Sequence, residues 1–523
     1  MNRSGPGRVL LGLLALTLVC VPFYGAWRWN DFRGAVTAQE EPGPRGAAPA
    51  GGPPPERRSA NTAPVVLAYH DIGRDSRSRF TVTPEAFDAQ LAALTSAGYR
   101  TLDSEEFIAY LRGGPAPSPR SVFLTFDDGT HGLWVHADRV LAKHRMRAAA
   151  FLITRSVGSH RPYYLSWEEI GRMARSGRWD FENHTWDLHR RAAVDGSGRA
   201  SSALASRLWL PRERRQETVR EYRRRVEGDL DRSVADFVRH GLPRPRLFAY
   251  PFSESQERGS ATPTNRSLRE ALAERFVASL TNSSDRPLPS GRRAAAAGEV
   301  QRVEVTAETS ARELLAAVGR WTSVTPAECP DPLTQPRWWR RNDRSGTDGL
   351  GALTGTGPYP AATGYAAASY RPAGTADWSR YTVDARIGGL RESRNNIGLL
   401  VRDGSLAPLT VALSYSYVRL LEHRDGRWHE VGRRKLTNSV EHRVGVTVED
   451  GRTVVVVDGG IRIERAARVN GGDGTGGVAV SVRNGDPAGS WPRFESLTVR
   501  PLGGGGCGPG AVRHLLRRAV RPR

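Results

Sequence analysis

From Val65 to Val305 the chain repeats one unit, a short apolar run followed by an amphipathic stretch, and few architectures accommodate that rhythm. The runs Val65–Tyr69, Ser121–Phe126, Ala148–Ile153, Leu247–Tyr250, Val277–Leu280 and Val303–Val305 read as buried strands. Between them lie helix signals. Thr83 caps a helix with Pro84 at its first position, Phe87, Leu91 and Leu94 line one face, and Gly98 ends it. Ser166 and Glu169 form a capping box ahead of Ile170 and Met173. Val219, Tyr222, Val226, Leu230, Val234 and Phe237 make one stripe of a longer helix. Repeated strand-then-helix units predict an α/β domain on a parallel sheet, open or closed into a barrel.

The rhythm stops near Trp321. After an irregular stretch, strands alternate without helices: Tyr381, Val383, Ala385 and Ile387 on one face, then Val444, Val446 and Val448 before an Asp450-Gly451 turn into Val454–Val457. Later strands are expected at Val478–Val482 and Phe494–Val499. This half reads as an all-β sandwich of jelly-roll type. The expected division is an N-terminal membrane anchor or signal segment over 1–27 and a Pro/Gly-rich linker over 28–63. The α/β domain occupies 64–322, a linker 323–347, the sandwich 348–502 and a basic tail 503–523.

Arg3 and Arg8 precede an uncharged run from Val9 to Trp27, of a length that suits a membrane-spanning segment. An uncleaved anchor with the remainder outside the cell is expected, a cleaved signal and secretion being the alternative. Cys329 and Cys507 bracket the sandwich, and in an oxidising compartment they are expected to close it as a disulfide. The net charge of +21 comes almost wholly from arginine, lysine occurring only at Lys143 and Lys435. It is spread along the chain rather than gathered in a stripe with interleaved aromatics, which argues against nucleic acid and for an anionic wall polymer or membrane surface.

Three segments carry chemistry: Phe126-Asp127-Asp128-Gly129, His184-Thr185-Trp186-Asp187-Leu188-His189 and Ala249-Tyr250-Pro251-Phe252. One carboxylate and two histidines make three ligands of a hydrolytic zinc site with a position left for water. The spare carboxylate beside them then serves as base. Singly the segments are weak, because Asp-Asp-Gly is also a turn signal and histidine pairs are often structural. Each follows an apolar strand, however, and the carboxyl ends of such strands are where parallel α/β folds bind ligands.

TFDDG, the histidine pair and the Pro-aromatic step together resemble the polysaccharide deacetylases of the NodB-homology type, carbohydrate esterase family 4. The resemblance covers about Pro64 to Trp321 and extends to Leu67-Ala68-Tyr69-His70 and Gly98-Tyr99. HTWDLH and the insertion after His189 are most similar to the poly-β-1,6-N-acetylglucosamine de-N-acetylase branch. The resemblance implies a deformed (β/α) barrel and metal-dependent de-N-acetylation of an extracellular N-acetylglucosamine polysaccharide. Peptidoglycan or chitin deacetylation, or a silent glycan-binding protein, are the alternatives. By resemblance Asp127 is the base, Asp128, His184 and His189 hold a divalent metal, first of all Zn2+, and His70 is the acid. Tyr250, Pro251 and Phe252 correspond to the substrate-binding turn, a backbone N–H near Tyr250 holding the oxyanion, and Asp187 is a loop-capping residue. Two departures stand out. The family's late histidine is replaced by Arg302-Val303-Glu304-Val305, and Ala249 stands where an arginine usually orients the base. The second half resembles concanavalin-like jelly rolls at Gly398–Arg402 and Gly477–Val480, with Trp378, Tyr415, Tyr417 and Trp428 as candidates for sugar stacking against a core-filling role.

Overall fold

The computed structural model describes residues 63–502, apart from 75–77, 115–117, 119, 161–162, 255–261, 344–348, 393–394, 425, 450–451 and 467–473. Its first half is built on strands β1 (Val65–Tyr69), β2 (Ser121–Phe126), β3 (Ala148–Leu152) and β4 (Trp179–Asn183). Strands β5 (Leu247–Ala249), β6 (Ala278–Thr281), β7 (Glu299–Gln301) and β8 (Val303–Glu304) follow. They pair in the order β7-β6-β5-β4-β3-β2-β1-β8, with Arg100–Thr101 added beside β2. Every pairing in this sheet is parallel. The two edge strands, β7 and β8, are consecutive in the chain and separated by Arg302 alone, so the sheet curls into a nearly closed barrel whose seam is spanned by one residue.

A parallel sheet covered on both faces needs strands without a polar side. All residues of β1, β2 and β3 are buried accordingly. Alternate positions feed two clusters: Phe123, Phe151, Leu247 and Leu280 in one, Val122, Leu124 and Phe126 with Phe87, Leu91 and Leu94 in the other. The helices begin where their caps predict. Helix α1 (Pro84–Ser96) starts after Thr83, whose hydroxyl accepts from the Ala86 N–H. Helix α2 (Trp167–Arg175) carries the Ser166–Glu169 capping box, and α3 (Val219–Arg239) a second one from Thr218 and Glu221. Helix α4 (Arg292–Ala297) leads into β7, and α5 (Ala311–Trp321) closes the domain.

Among the described residues, the second half contains only antiparallel pairings. One sheet runs β9-β10-β19-β12-β13-β14-β15 and the other β18-β17-β16-β11-β20. These are β9 (Trp339–Arg341), β10 (Gly364–Tyr370), β11 (Arg380–Gly388), β12 (Asn395–Asp403), β13 (Leu409–Leu413) and β14 (Tyr417–Arg424). The rest are β15 (Arg427–Lys435), β16 (His442–Glu449), β17 (Arg452–Val457), β18 (Ile461–Ala466), β19 (Gly477–Asn484) and β20 (Arg493–Pro501). Their inward residues form a single apolar core. The hairpin expected around Asp450-Gly451 forms, β16 pairing with β17 from Glu449↔Arg452 onward.

Two expectations change. The stretch 323–347 is not a linker throughout: β9 is an edge strand of the larger sheet, and Cys329 sits in the sandwich core. Trp378 is no sugar platform, being buried with its indole N–H donated to the Val324 carbonyl at 2.6 Å. Of the four aromatics, Tyr415 and Tyr417 are half-buried and Trp428, 48% exposed on β15, is the most open. Cys507, the Val9–Trp27 run and the basic tail lie outside the described residues. Among the described residues no helix is long and apolar enough to cross a membrane.

Candidate metal centre and active site

Because β1 to β7 run parallel, the residues that follow them share one end of the barrel. His70 follows β1, Asp127 and Asp128 follow β2, His184 follows β4, Asn282 follows β6 and Arg302 follows β7. The connection after β5 turns back at Tyr250–Ser253 and brings Phe252 against His189, ring centroids 4.7 Å apart. Tight left-handed turns make these approaches possible: Asp128 has φ +72°, Thr185 +76°, Phe252 +57° and Ser253 +54°. Such non-glycine conformations cost on the order of 1–3 kcal/mol each and concentrate at functional sites.

Asp128, His184 and His189 bring one ligand atom each within 4.8 Å of one another. The Asp128 Oδ1 lies 3.5 Å from His184 Nε2 and 3.4 Å from His189 Nε2. Tetrahedral bonds of about 2.0–2.2 Å hold ligand atoms about 3.4 Å apart, so this spacing is that of a metal's coordination shell. Asp128 Oδ1 is also buried without a hydrogen-bond partner, a costly state for a carboxylate that a cation relieves. The residues therefore fit a divalent ion. The His184 Nδ1–H donates to the Ala249 carbonyl at 2.8 Å, which fixes the tautomer with the Nε2 lone pair toward Asp128. Burial, and then the neighbouring His184, push His189 down to about 4, so this imidazole is neutral and free to ligate. Burial opposes charge on His184 as well, but Asp127 and Asp128 outweigh it and hold His184 above its ordinary value.

Asp127 faces a different partner. Its two oxygens accept from Arg302 Nη1 and Nη2 at 2.7 and 2.6 Å in a bidentate pair, and both side chains are buried. Burial alone would raise the Asp127 carboxyl, yet Arg302, His184 and His70 hold it well below the usual carboxylate range. Arg302 is itself steadied: its Nε donates to Asn282 Oδ1 at 2.8 Å, and the Asn282 amide donates to Glu304 at 3.0 Å. The arginine missing from the position of Ala249 thus has a counterpart at the barrel seam. The expectation attached to this segment, the loss of a late histidine, concerned the same four residues and overlooked the guanidinium among them. An arginine between two very short strands, each with a single valine, was the available signal.

His70 stands at the rim with its ring 4.6 Å from Phe80 and its Nδ1 buried without a partner, close enough that its charge acts on both Asp127 and Asp128. Tyr250 and Pro251 do not face a substrate. Tyr250 packs among Phe248, Leu268 and Phe276, and its N–H is donated to the Leu280 carbonyl, so it supplies no oxyanion donor. Phe252 is the exposed member of that turn, 38% accessible, with the Arg191 guanidinium 4.7 Å from its ring. Opposite the turn, the main chain of Tyr163–Leu165 is tied to the Asp128 loop. The His131 N–H donates to Tyr163 and the Leu165 N–H to Gly129. Tyr163 is 55% exposed, and burial followed by the Asp128 charge pushes its phenol up to about 12. Asp187 pairs with Arg155 and Arg190 and stays out of the metal trio.

Residues 114–265 match the polysaccharide deacetylase family. A poly-beta-1,6-N-acetyl-D-glucosamine N-deacetylase of Staphylococcus epidermidis is 37% identical over 120 residues, which are 22% of this chain and 41% of that protein. The protein of the same name from Staphylococcus aureus is 31% identical over 135 residues, 25% of this chain and 46% of its own length. The chain thus spans less than half the length of these curated relatives. The solved structure of IcaB from Ammonifex degensii aligns with 49% of this chain and 97% of its own, at 28% identity and a TM-score of 0.38.

Proposed function

We propose that this chain, which carries a polysaccharide deacetylase domain, removes acetyl groups from an N-acetylglucosamine polymer by metal-dependent hydrolysis. The observation that carries the reading is the pairing of a ligand trio around an orphaned carboxylate oxygen with a second, separately compensated carboxylate one residue away. Asp128, His184 and His189 would hold a divalent ion, zinc as first choice from the donor set, which would supply a Lewis acid and lower the pKa of water. Asp127 is ionised and, with each oxygen engaged by one N–H, retains lone pairs to take the proton of the attacking water. The new C–O bond forms on the acetamide carbon, and the Phe252 N–H, on the residue whose ring packs against His189, is the donor assigned to the developing oxyanion. His70 gives a proton to the departing nitrogen as the C–N bond breaks, leaving acetate and a glucosamine unit. Arg302 supports this reading over a silent glycan binder, because it supplies the orienting cation that Ala249 cannot.

The test is acetate release from β-1,6- and β-1,4-linked N-acetylglucosamine oligomers, with and without chelator. Release from the β-1,6 series that stops on chelation and returns with zinc is expected. Release from β-1,4 oligomers alone would assign a chitin or peptidoglycan substrate, and release in metal-free protein would overturn the mechanism. The same reading places the domain outside the cell behind the Val9–Trp27 anchor, with Cys329 and Cys507 joined. Intact mass under non-reducing conditions, two hydrogen atoms lighter than the reduced chain, tests the bond.

A further inference from the structure

Helix α3 presents a buried stripe of Tyr222, Val226, Leu230, Val234 and Phe237, and two polar residues, Asp229 and Ser233, interrupt it. A carboxylate in such a place costs several kcal/mol unless hydrogen bonds replace its water. Asp229 is 6% exposed, and burial pushes it up to about 6 even though it accepts from two backbone amides. Those amides belong to one loop. Trp186 N–H donates to Asp229 Oδ1 at 2.9 Å and Asp187 N–H to Oδ2 at 2.8 Å. One helical turn on, the Ser233 hydroxyl accepts from Asn183 Nδ2 at 2.8 Å, and Asn183 Oδ1 accepts the Thr185 N–H at 2.8 Å. The partners therefore bracket His184 on one side and lead to His189 on the other.

The loop needs such a hold. Between the two histidines it turns through a left-handed Thr185, and its Trp186 and Asp187 amides point away from any strand partner, into the helix. The outer side of the loop is met by the 154–155 main chain, whose N–H groups donate to the Thr185 and Trp186 carbonyls at 3.2 Å. Asp229 grips the inner side. From this arrangement we propose that Asp229, assisted by Ser233, is a positioning residue that fixes the spacing of His184 and His189 and so sets the metal affinity of the site. This rests on the reading of the trio as a metal centre, and adds to it a residue 40 positions downstream of His189.

The experiment uses the full chain and zinc alone, titrated against a competing chelator, so that it does not depend on the polysaccharide. Asp229→Ala removes both acceptors and Asp229→Asn keeps one. The expected result is a zinc affinity lower by about tenfold to a hundredfold for Asp229→Ala, the range found for supporting shells of metal sites, with Asp229→Asn between it and the parent. At saturating zinc the turnover of Asp229→Asn returns to within a few-fold of the parent, which a general loss of folding would not allow. Should Asp229→Ala fail to fold, Asp229→Asn and Ser233→Ala carry the comparison. A folded Asp229→Asn that binds zinc as tightly as the parent overturns the proposal. A parent that binds zinc but releases no acetate leaves it standing and overturns the deacetylase reading instead.

Discussion

A carboxylate as enclosed as Asp127 stays ionised only where a cation replaces the water it has lost, and Arg302 does so from the seam between β7 and β8. Arg302→Met is expected to cost about 3–5 kcal/mol in urea unfolding, because the partner charge is left buried and alone. Arg302→Lys retains one contact and should recover part of both stability and turnover, a lysine ammonium lacking the two-pronged geometry. The two adjacent aspartates separate in the same way. Asp128→Asn is expected to lose metal, read by metal analysis of dialysed protein, whereas Asp127→Asn keeps it and loses about 10²- to 10⁴-fold in turnover. Equal metal loss in both would contradict the division of labour. Asp127, Asp128, His184 and His189 were legible as a set because ligand chemistry shows in residue type and spacing. Arg302 was not, since which strand end delivers a cation to Asp127 depends on how the barrel closes. Tyr250 was misread for a related reason: the motif locates the turn, but only the packing of β5 against β6 shows that its ring points inward.

At the scale of the elements, β4 illustrates how a strand can carry a buried acid at a cost that pH reveals. Glu182 accepts from the Arg246 and Leu247 amides at 2.7 and 2.8 Å and thereby pins the start of β5. Burial pushes its carboxyl up to about 7, the two amides only partly offsetting that. In the unfolded chain a glutamate titrates near 4.3. Between those values the native state holds a proton that the unfolded state has released, so stability falls as pH rises through this window. The loss amounts to about 4 kcal/mol above pH 7 by linkage at roughly 1.4 kcal/mol per unit. Glu182→Gln removes it: the thermal midpoint of the variant is expected to gain on the parent from pH 5 to pH 8, and a constant difference would refute the assignment. Most elements were visible beforehand, Thr83, Ser166 and the α3 stripe marking helices and the apolar runs marking strands. The short strand of the 323–347 stretch was not, because Trp339–Arg341 has no alternation of its own and becomes a strand by pairing with β10. Tertiary pairing made that element, and local pattern cannot report it.

Across the whole molecule, the sandwich and barrel meet through a side chain that belongs to neither core. Arg293, on α4 of the barrel domain, is 1% exposed. Its guanidinium donates to the Pro287 carbonyl at 3.1 Å and, across the boundary, to the Asp403 and Thr475 carbonyls at 2.8 and 3.0 Å. Asp377 of the sandwich half answers by accepting the Arg293 N–H at 2.9 Å, which caps α4. Gly404 and Gly476 make room, since a Cβ at either would meet the guanidinium at 2.6 or 2.8 Å. Burial pushes Arg293 down to about 10 although Asp377 opposes the shift, so the guanidinium is still charged at neutral pH and the contact persists there. Nothing in the chain from 323 to 347 needs to be rigid for the two halves to hold a fixed relation. Arg293→Ala strands three carbonyl oxygens, each at a cost of about 1–3 kcal/mol, and most of that falls on the boundary rather than on either core. Calorimetry of the parent is expected to show one cooperative transition, and Arg293→Ala two, with acetate release from short oligomers within about twofold of the parent because the metal end of the barrel is untouched. If the sandwich steers polymer into the site, the variant loses activity on long chains while keeping it on short ones. A parent that already melts in two steps would show instead that the sandwich rides on the barrel as an independent unit.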